Sequence, residues 1–503
     1  MPTDAFVLEP DLEHPMPLHA PWRYGANTCH APLWFRDDLL GHLQRCRDEL
    51  GFWRVRAHGT IGDGMRTVDD RGRYTFDRVV AGLDRLVDAG YTPFVELSHM
   101  PAALARDDKH ITAYKFRSGP PTDWGKWRDL IAGLVAALQA RYGRAELRRW
   151  DFEVWNEPDL AFWTGTRREY FRLYDLAADA IKSADAQLRV GGPATARTRW
   201  VGEFLDHVTA DSDDYRAGGR RCDFVATHAY PSDVAFVDAA EGEVKLQASG
   251  LMRELFARAR REIDARVGPE MPLVCGEWNS SAGPLAENHD TCNNAAFVAK
   301  TMAEFSLPLA EGGTRPIVDG QLYWNLSDIY EECGFHHEPF HGGYGLLTVH
   351  GVPKAAFHAF ALLAHHAGRR LAATPRPAEG SGTCPAGLGA LCSLDAANRL
   401  LRATIYHHRE PGDEDAGPVD VLLQLPEARL AGTARVTRVS PGAGSAYEVW
   451  ENRGRPQFGD ARLLADLHDA AHPTTAGLRP DVNGRLAVSV TPGTICHLEV
   501  PID

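Results

Sequence analysis

DFEVWNEPDL, residues 151 to 160, opens on apolar residues that alternate with acids and then breaks at Asn156, Glu157 and Pro158. Proline lacks the amide needed to continue a sheet and drives the residue before it out of the helical region, so Glu157 is expected at a strand end. LVCGEWNSS, residues 273 to 281, repeats the design: a short apolar run that stops at a glutamate, Glu277. Two carboxyl groups raised on separate strand ends are what cleavage of a glycosidic bond requires. One protonates the leaving oxygen and the other faces the sugar carbon.

The pair sits inside a repeat. From Trp22 to Ala364 short apolar runs alternate with stretches of helical period. Strands are expected at 22–27, 53–58, 92–97, 150–155, 189–192, 224–228, 273–276 and 320–324. Helices are expected near 35–50, 76–89, 124–142, 169–183, 200–210, 250–267, 293–311 and 354–364; in the first, Leu39, Leu43, Cys46 and Leu50 share one face. Eight strand–helix units in a row predict an α/β fold, a (β/α)8 TIM barrel, whose strand ends meet on one face and would bring Glu157 and Glu277 together. An open doubly wound sheet would call for a glycine-rich first turn, and no GxGxxG follows an early strand.

Beyond Leu371 the pattern changes. Residues 374–391 are rich in Pro and Gly and read as a linker. Short alternating runs at 400–406, 419–425, 434–439, 486–490 and 495–500 predict a C-terminal antiparallel β-sandwich, expected to support the barrel rather than to bind carbohydrate. The expected division is 1–15 as an N-terminal segment, 16–366 as the catalytic barrel and 367–503 as the sandwich, with Phe6 to Leu8 as an added edge strand.

Composition narrows the partners. The 503 residues carry a net charge of -14 from scattered Asp and Glu, with no acidic or basic tail, and an acidic surface argues against nucleic acid. No window is apolar for long enough to span a membrane, and MPTDAFVLEPDLEHPMP lacks the basic start and apolar run of a secretory signal, so a cytoplasmic protein is expected. Nine Cys are spread widely without a CxxC pair, and most are expected to be reduced and buried; Cys384 and Cys392 are near enough in sequence to invite a disulfide, against which the lack of an export signal argues. HHEPFH, residues 336 to 341, holds Pro339, so it cannot set two histidines on one helix face as HExxH does; no metal and no cofactor are expected.

Other polar residues fall at the same phase of the repeat. Arg56 and His58 end the second strand, Glu96 and His99 the third, His228 and Tyr230 the sixth, while Trp324, Asn325, Asp328 and Glu331 follow the eighth. Each alone is an ordinary structural residue; their recurrence predicts a polar, concave sugar pocket with an aromatic wall.

ELGFWRVRAHG (49–59), YTPFVEL (91–97), DFEVWNEPDLAFW (151–163), VGGPAT (190–195), GEWNSS (276–281), YWNLSDIYEE (323–332) and FHGGYGLL (340–347) occur in this order. Together they resemble glycoside hydrolase family 39, the barrel family of bacterial β-xylosidases and α-L-iduronidases. The Asn-Glu-Pro triplet marks only the wider clan; the last two motifs discriminate the family. The resemblance implies Glu157 as general acid/base, Glu277 as nucleophile, and Asn156 as the donor to the sugar 2-hydroxyl. It implies Tyr230 beside the nucleophile, and His58, His228, Trp324 and Glu331 around the sugar. The expected activity is retaining, exo-acting removal of a pyranosyl residue, β-D-xylose before α-L-arabinopyranose, β-galactose or α-L-iduronate, from short oligosaccharides. An iduronide would want a cation near the eighth strand end, where YWNLSDIYEE is acidic. A non-catalytic sugar-binding barrel is the rival of another class, and it would be expected to have lost one of the two carboxylates. A homo-oligomer is compatible with the sequence.

Overall fold

The computed structural model describes residues 5–503 apart from 211–220, 233–243, 311–312, 331, 379–382, 426–429 and 458–459. Eight parallel strands close into a barrel: β1 (Gly25–His30), β2 (Arg54–His58), β3 (Thr92–Leu97), β4 (Asp151–Val154), β5 (Arg189–Ala196), β6 (Phe224–His228), β7 (Leu273–Glu277) and β8 (Gly320–Tyr323). Each pairs with the next, and β8 returns to β1. The helices between and after them include α1 (Asp37–Leu50), α2 (Asp77–Asp88), α3 (Trp124–Leu147, interrupted at Gly143), α4 (Arg167–Ala184), α5 (Val201–Val208), α6 (Leu251–Arg266), α7 (Asn293–Phe305) and α8 (Ala355–Ala364).

Local chemistry sets these boundaries. Gly51, at φ 72°, ends α1 in the left-handed conformation that costs glycine nothing. Asp123 caps α3 by accepting from the amides of Gly125 and Lys126. Thr166 and Glu169 form a reciprocal capping box at the start of α4. The first strand begins three residues later than expected, because Pro21–Arg23 is a 3-10 turn in which Trp22 is buried.

Inside the barrel, Phe94, Phe224, Ala226, Val274 and Leu322 form an apolar layer, with the rings of Phe94 and Phe224 5.4 Å apart. The next layer up is charged and carries the site. Among the described residues, no helix is long and apolar enough to cross a membrane.

Two further sheets share one apolar core. The larger runs Gly444–Ser445, Ala434–Pro441, Thr494–Pro501, Leu400–His407, Leu388–Asp395, Arg369–Leu371 and Met16–Pro17, with Thr474–Leu478 also paired to Ala434–Pro441. The smaller is ordered Arg376–Pro377, Ala5–Leu8, Val419–Gln424, Arg485–Val490. Three expectations need correction here. Phe6 to Leu8 belong to an inner strand, not an edge, and it runs parallel to Val419–Gln424, so the arrangement is not wholly antiparallel. The stretch 374–391 is not all linker, since Leu388 already belongs to an eight-residue strand. The C-terminal part also contains helices Tyr447–Asn452 and Ala461–Ala470, which pack on Phe340 and Val352 of the barrel.

Candidate active site

The alternation Arg54-x-Arg56-x-His58 turns every second side chain of β2 into the barrel. Arg56 is fully buried at its centre and reaches Glu96 at 2.7 Å, Glu153 at 2.6 Å and Glu277 at 2.7 Å. Its remaining donors meet Asn27 Oδ1 at 3.1 Å and Asn156 Oδ1 at 2.9 Å. Glu96 and Glu153 are paired residues on adjacent strands, so without the guanidinium two like charges would face each other. Burial alone would raise both. For Glu96, Arg56 and His58 outweigh burial and hold its carboxyl low. Glu153 is pushed up to about 7, by burial first and by the charges of Glu96 and Glu277 beyond what Arg56 offsets.

Glu277 is the last residue of β7, where the sequence put it. One oxygen accepts from Arg56 and lies 3.4 Å from His58 Nε2; the other accepts from the Tyr230 hydroxyl at 3.3 Å. Glu157 lies three residues beyond the end of β4 rather than at it. Its backbone takes φ 40°, in the left-handed region, and its amide donates to Ala194 O of β5 at 2.8 Å. A strained residue held in this way has its side chain placed by the neighbouring strand.

Between the two carboxyls stands His228. Its Nδ1 is 3.1 Å from Glu157 Oε1 and 3.6 Å from Glu277 Oε2, and burial, then the charges of Arg56 and His58, keep the ring well below its ordinary pKa. One oxygen of each glutamate and a ring nitrogen of His228 lie within 4.8 Å of one another. Burial, then the charge of Glu277, then that of Asp159, push the Glu157 carboxyl well above the usual carboxylate range.

The expected binding residues gather here. His58 donates toward Glu96 at 2.7 Å and packs 4.7 Å from the Trp324 ring. Asn156 Nδ2 is buried without a partner, while Arg56 fixes the other end of that amide. His58, Tyr230, Trp324 and both glutamates line one pocket. Asn156 and His228 sit just behind its surface. Glu331 lies outside the described residues; Glu332 lines the pocket, held by the hydroxyls of Tyr330 at 2.8 Å and Tyr114 at 3.3 Å. Tyr344, Arg197 and Glu153 were not singled out from the sequence. The inward phase of Asp151-x-Glu153 was the available signal for the last.

Tyr344 arrives on a loop that only glycine permits. A Cβ on Gly343 would lie 2.4 Å from Asp328 Oδ1, and one on Gly345 2.3 Å from the Asp328 amide nitrogen, so FHGGYGLL lies flat on Asp328. Among the described residues, His58–Glu96–His99 and Glu157–His228–Glu277 are close enough to share a cation. In both, Arg56 already pairs with a member, and a fixed guanidinium opposes a second positive charge. His336 and His341 belong to no such group among the described residues.

Comparison with known proteins agrees with this geometry. The sequence profile of the glycosyl hydrolases family 39 matches residues 9–486. A beta-xylosidase of Caldicellulosiruptor saccharolyticus is 40% identical over 357 residues, covering 70% of this chain and 69% of that protein. A beta-xylosidase of Geobacillus stearothermophilus is 32% identical over 485 residues, covering 93% and 90%. The crystal structure of a monomeric beta-xylosidase from Caulobacter crescentus CB15 superposes with a TM-score of 0.79 at 28% identity, covering 99% of each chain. A closed barrel, two carboxyls at its mouth and a profile match along almost the full length lead to one assignment: the chain belongs to glycosyl hydrolase family 39 and is a glycoside hydrolase.

Proposed function

We propose that the enzyme removes single β-D-xylosyl residues from short oligosaccharides or glycosides by double displacement, with net retention. The observation that carries this reading is the closeness of Glu157 and Glu277, oxygens within 4.8 Å. Retention calls for carboxyl groups about 5–5.5 Å apart, and inversion needs roughly 6.5–9.5 Å to admit water. The choice of xylose follows the two beta-xylosidases the chain resembles.

Glu277, oriented by Arg56 and Tyr230, attacks the anomeric carbon. Glu157, which its surroundings keep protonated to higher pH than an ordinary carboxyl, passes that proton to the leaving oxygen. Once Glu277 is an ester its charge is gone, and the Coulombic push on Glu157 goes with it. Glu157 then takes a proton from the water that opens the ester. Asn156 Nδ2, aimed by Arg56, is the donor for the sugar 2-hydroxyl. Trp324, Glu332 and Tyr344 line the pocket together with His58, and we read them as the wall around the glycone of an exo-acting enzyme.

The test joins a substrate panel to a variant. Aryl β-xyloside should be turned over faster than the corresponding α-L-arabinopyranoside, β-galactoside or α-L-iduronide. Glu277→Ala should lose at least about a thousandfold in kcat, and added azide should restore part of it with a product of inverted configuration. Undiminished turnover by Glu277→Ala would remove the assignment.

A further inference from the structure

A leaving group must lie on the side from which Glu157 delivers its proton. That wall of the pocket is made by Leu160 and Phe162 after β4, Ala196 at the end of β5 and Arg197 just past it, and Ser232 after β6. Arg197 is the one lysine or arginine among the described residues lining the pocket. Its placement is enforced by its surroundings. Arg197 and Thr198 take φ of 51° and 56°, a region that side-chain-bearing residues avoid. The turn is held by Asp159, which accepts from the Ala196 amide at 2.9 Å. It is also held by Arg258, which donates to Arg197 O at 2.8 Å and Thr198 Oγ1 at 2.7 Å.

The guanidinium itself is half-buried. Nη1 donates to Ser232 O at 3.0 Å, which fixes the plane of the group. Among the described residues, Nε and Nη2 have no partner, and no carboxylate pairs with the side chain. That leaves free the flat edge of the fork that binds a carboxylate through two parallel hydrogen bonds. Arg197 also borders a second, shallower groove of about 310 Å³ shared with Arg199, Arg258 and Glu254. Among the described residues lining that groove, three arginines stand against one glutamate, and Arg199 also lies 3.7 Å from Asp159, so the groove beside Arg197 keeps a positive balance.

We propose that Arg197 is a specificity residue for the leaving group, and that the preferred substrates carry a carboxylate there, as an oligosaccharide bearing a uronic acid does. The proposal rests on the reading of Glu157 as the acid that faces the leaving oxygen.

The test compares 3-carboxyphenyl β-xyloside with its methyl ester, for the parent enzyme, Arg197→Gln and Arg197→Lys. The quantity read is the acid-to-ester ratio of kcat/KM; comparing it between enzymes cancels the difference in leaving ability. The parent ratio should exceed that of Arg197→Gln by about tenfold, the size expected of a charge-assisted hydrogen bond at a partly wet site. The difference should appear mainly in KM and shrink as salt is added. Arg197→Lys, a point charge without the fork, should fall between. Equal ratios in parent and Arg197→Gln, with both substrates turned over, would overturn this proposal and leave the function standing. Failure of the parent on both substrates would overturn the two together.

Discussion

Arg56 brings one positive charge to three buried glutamates, and Glu153 is the one left to absorb the imbalance. Its pKa rises from an ordinary 4.5 to about 7. Between those values the unfolded chain has lost the proton and the folded protein still holds it, so this group makes stability fall as pH rises through that window. Glu153→Gln removes that slope. The stability difference between Glu153→Gln and the parent should therefore grow by up to about 3 kcal/mol from pH 4.5 to 7.5, read by urea denaturation at each pH. A difference that stays flat would mean Glu153 ionises normally. Much of this cluster was legible beforehand. Arg56, His58, Glu96, His228 and Glu277 all end strands, and strand phase alone puts them at one face. Glu153 was passed over because it lies inside an apolar run, where only the two-residue period marks it as facing inward. Glu332 was not picked out because it follows the strand in irregular chain, where phase does not say which way a side chain turns.

Lys354, just before α8, is buried against Asp290 and Asp328, at 2.6 Å from the latter. Asp290 also accepts from the Gly342 amide at 2.6 Å and Asp328 from the Gly345 amide at 2.7 Å. One ammonium group thus clamps both ends of the loop that presents Tyr344. Lys354→Met leaves two buried carboxylates without a counter-charge. It should cost about 3–5 kcal/mol in denaturant unfolding, and in a chilled sample that remains folded it should raise KM more than it lowers kcat. A loss below about 1 kcal/mol would show that the clamp is idle. Strands and helices were readable because apolar period and breakers agree along most of the barrel, with most ends displaced by five residues or fewer; the exception is the helix expected over 293–311, which ends at Phe305. The position of Glu157 was less so. Proline forecasts a break in the sheet, but the three-residue excursion past β4 depends on the amide of Glu157 finding Ala194 on β5.

The two sheets beyond the barrel do not hang from it. Leu391, Tyr406, Val439 and Ile495 belong to the same apolar cluster as Phe297 of α7 and Phe360 of α8. His366 bridges the hydroxyls of Ser393 and Thr404, each at 2.8 Å, and Arg370 donates to Ala303 O at 3.1 Å. A shared interior predicts a single calorimetric transition for the full chain, and aggregation of residues 1–366 made alone, read by scattering; two separated transitions would show independent units. Sequence pattern gave five strands of this region, but neither Leu388–Asp395 nor Thr474–Leu478, and it gave no partners, because alternation identifies a buried face without saying what buries it. The same limit hid the inner place of Ala5–Leu8. That placement bears on how the protein is made. Residues 5–8 leave the ribosome roughly four hundred codons ahead of Val419–Gln424, which at about 5–20 residues per second is a delay on the order of half a minute. Throughout that interval Phe6 and Leu8 lack that partner on the nascent polypeptide, so a ribbon made early is among the last to be seated, and chaperones have their opening there.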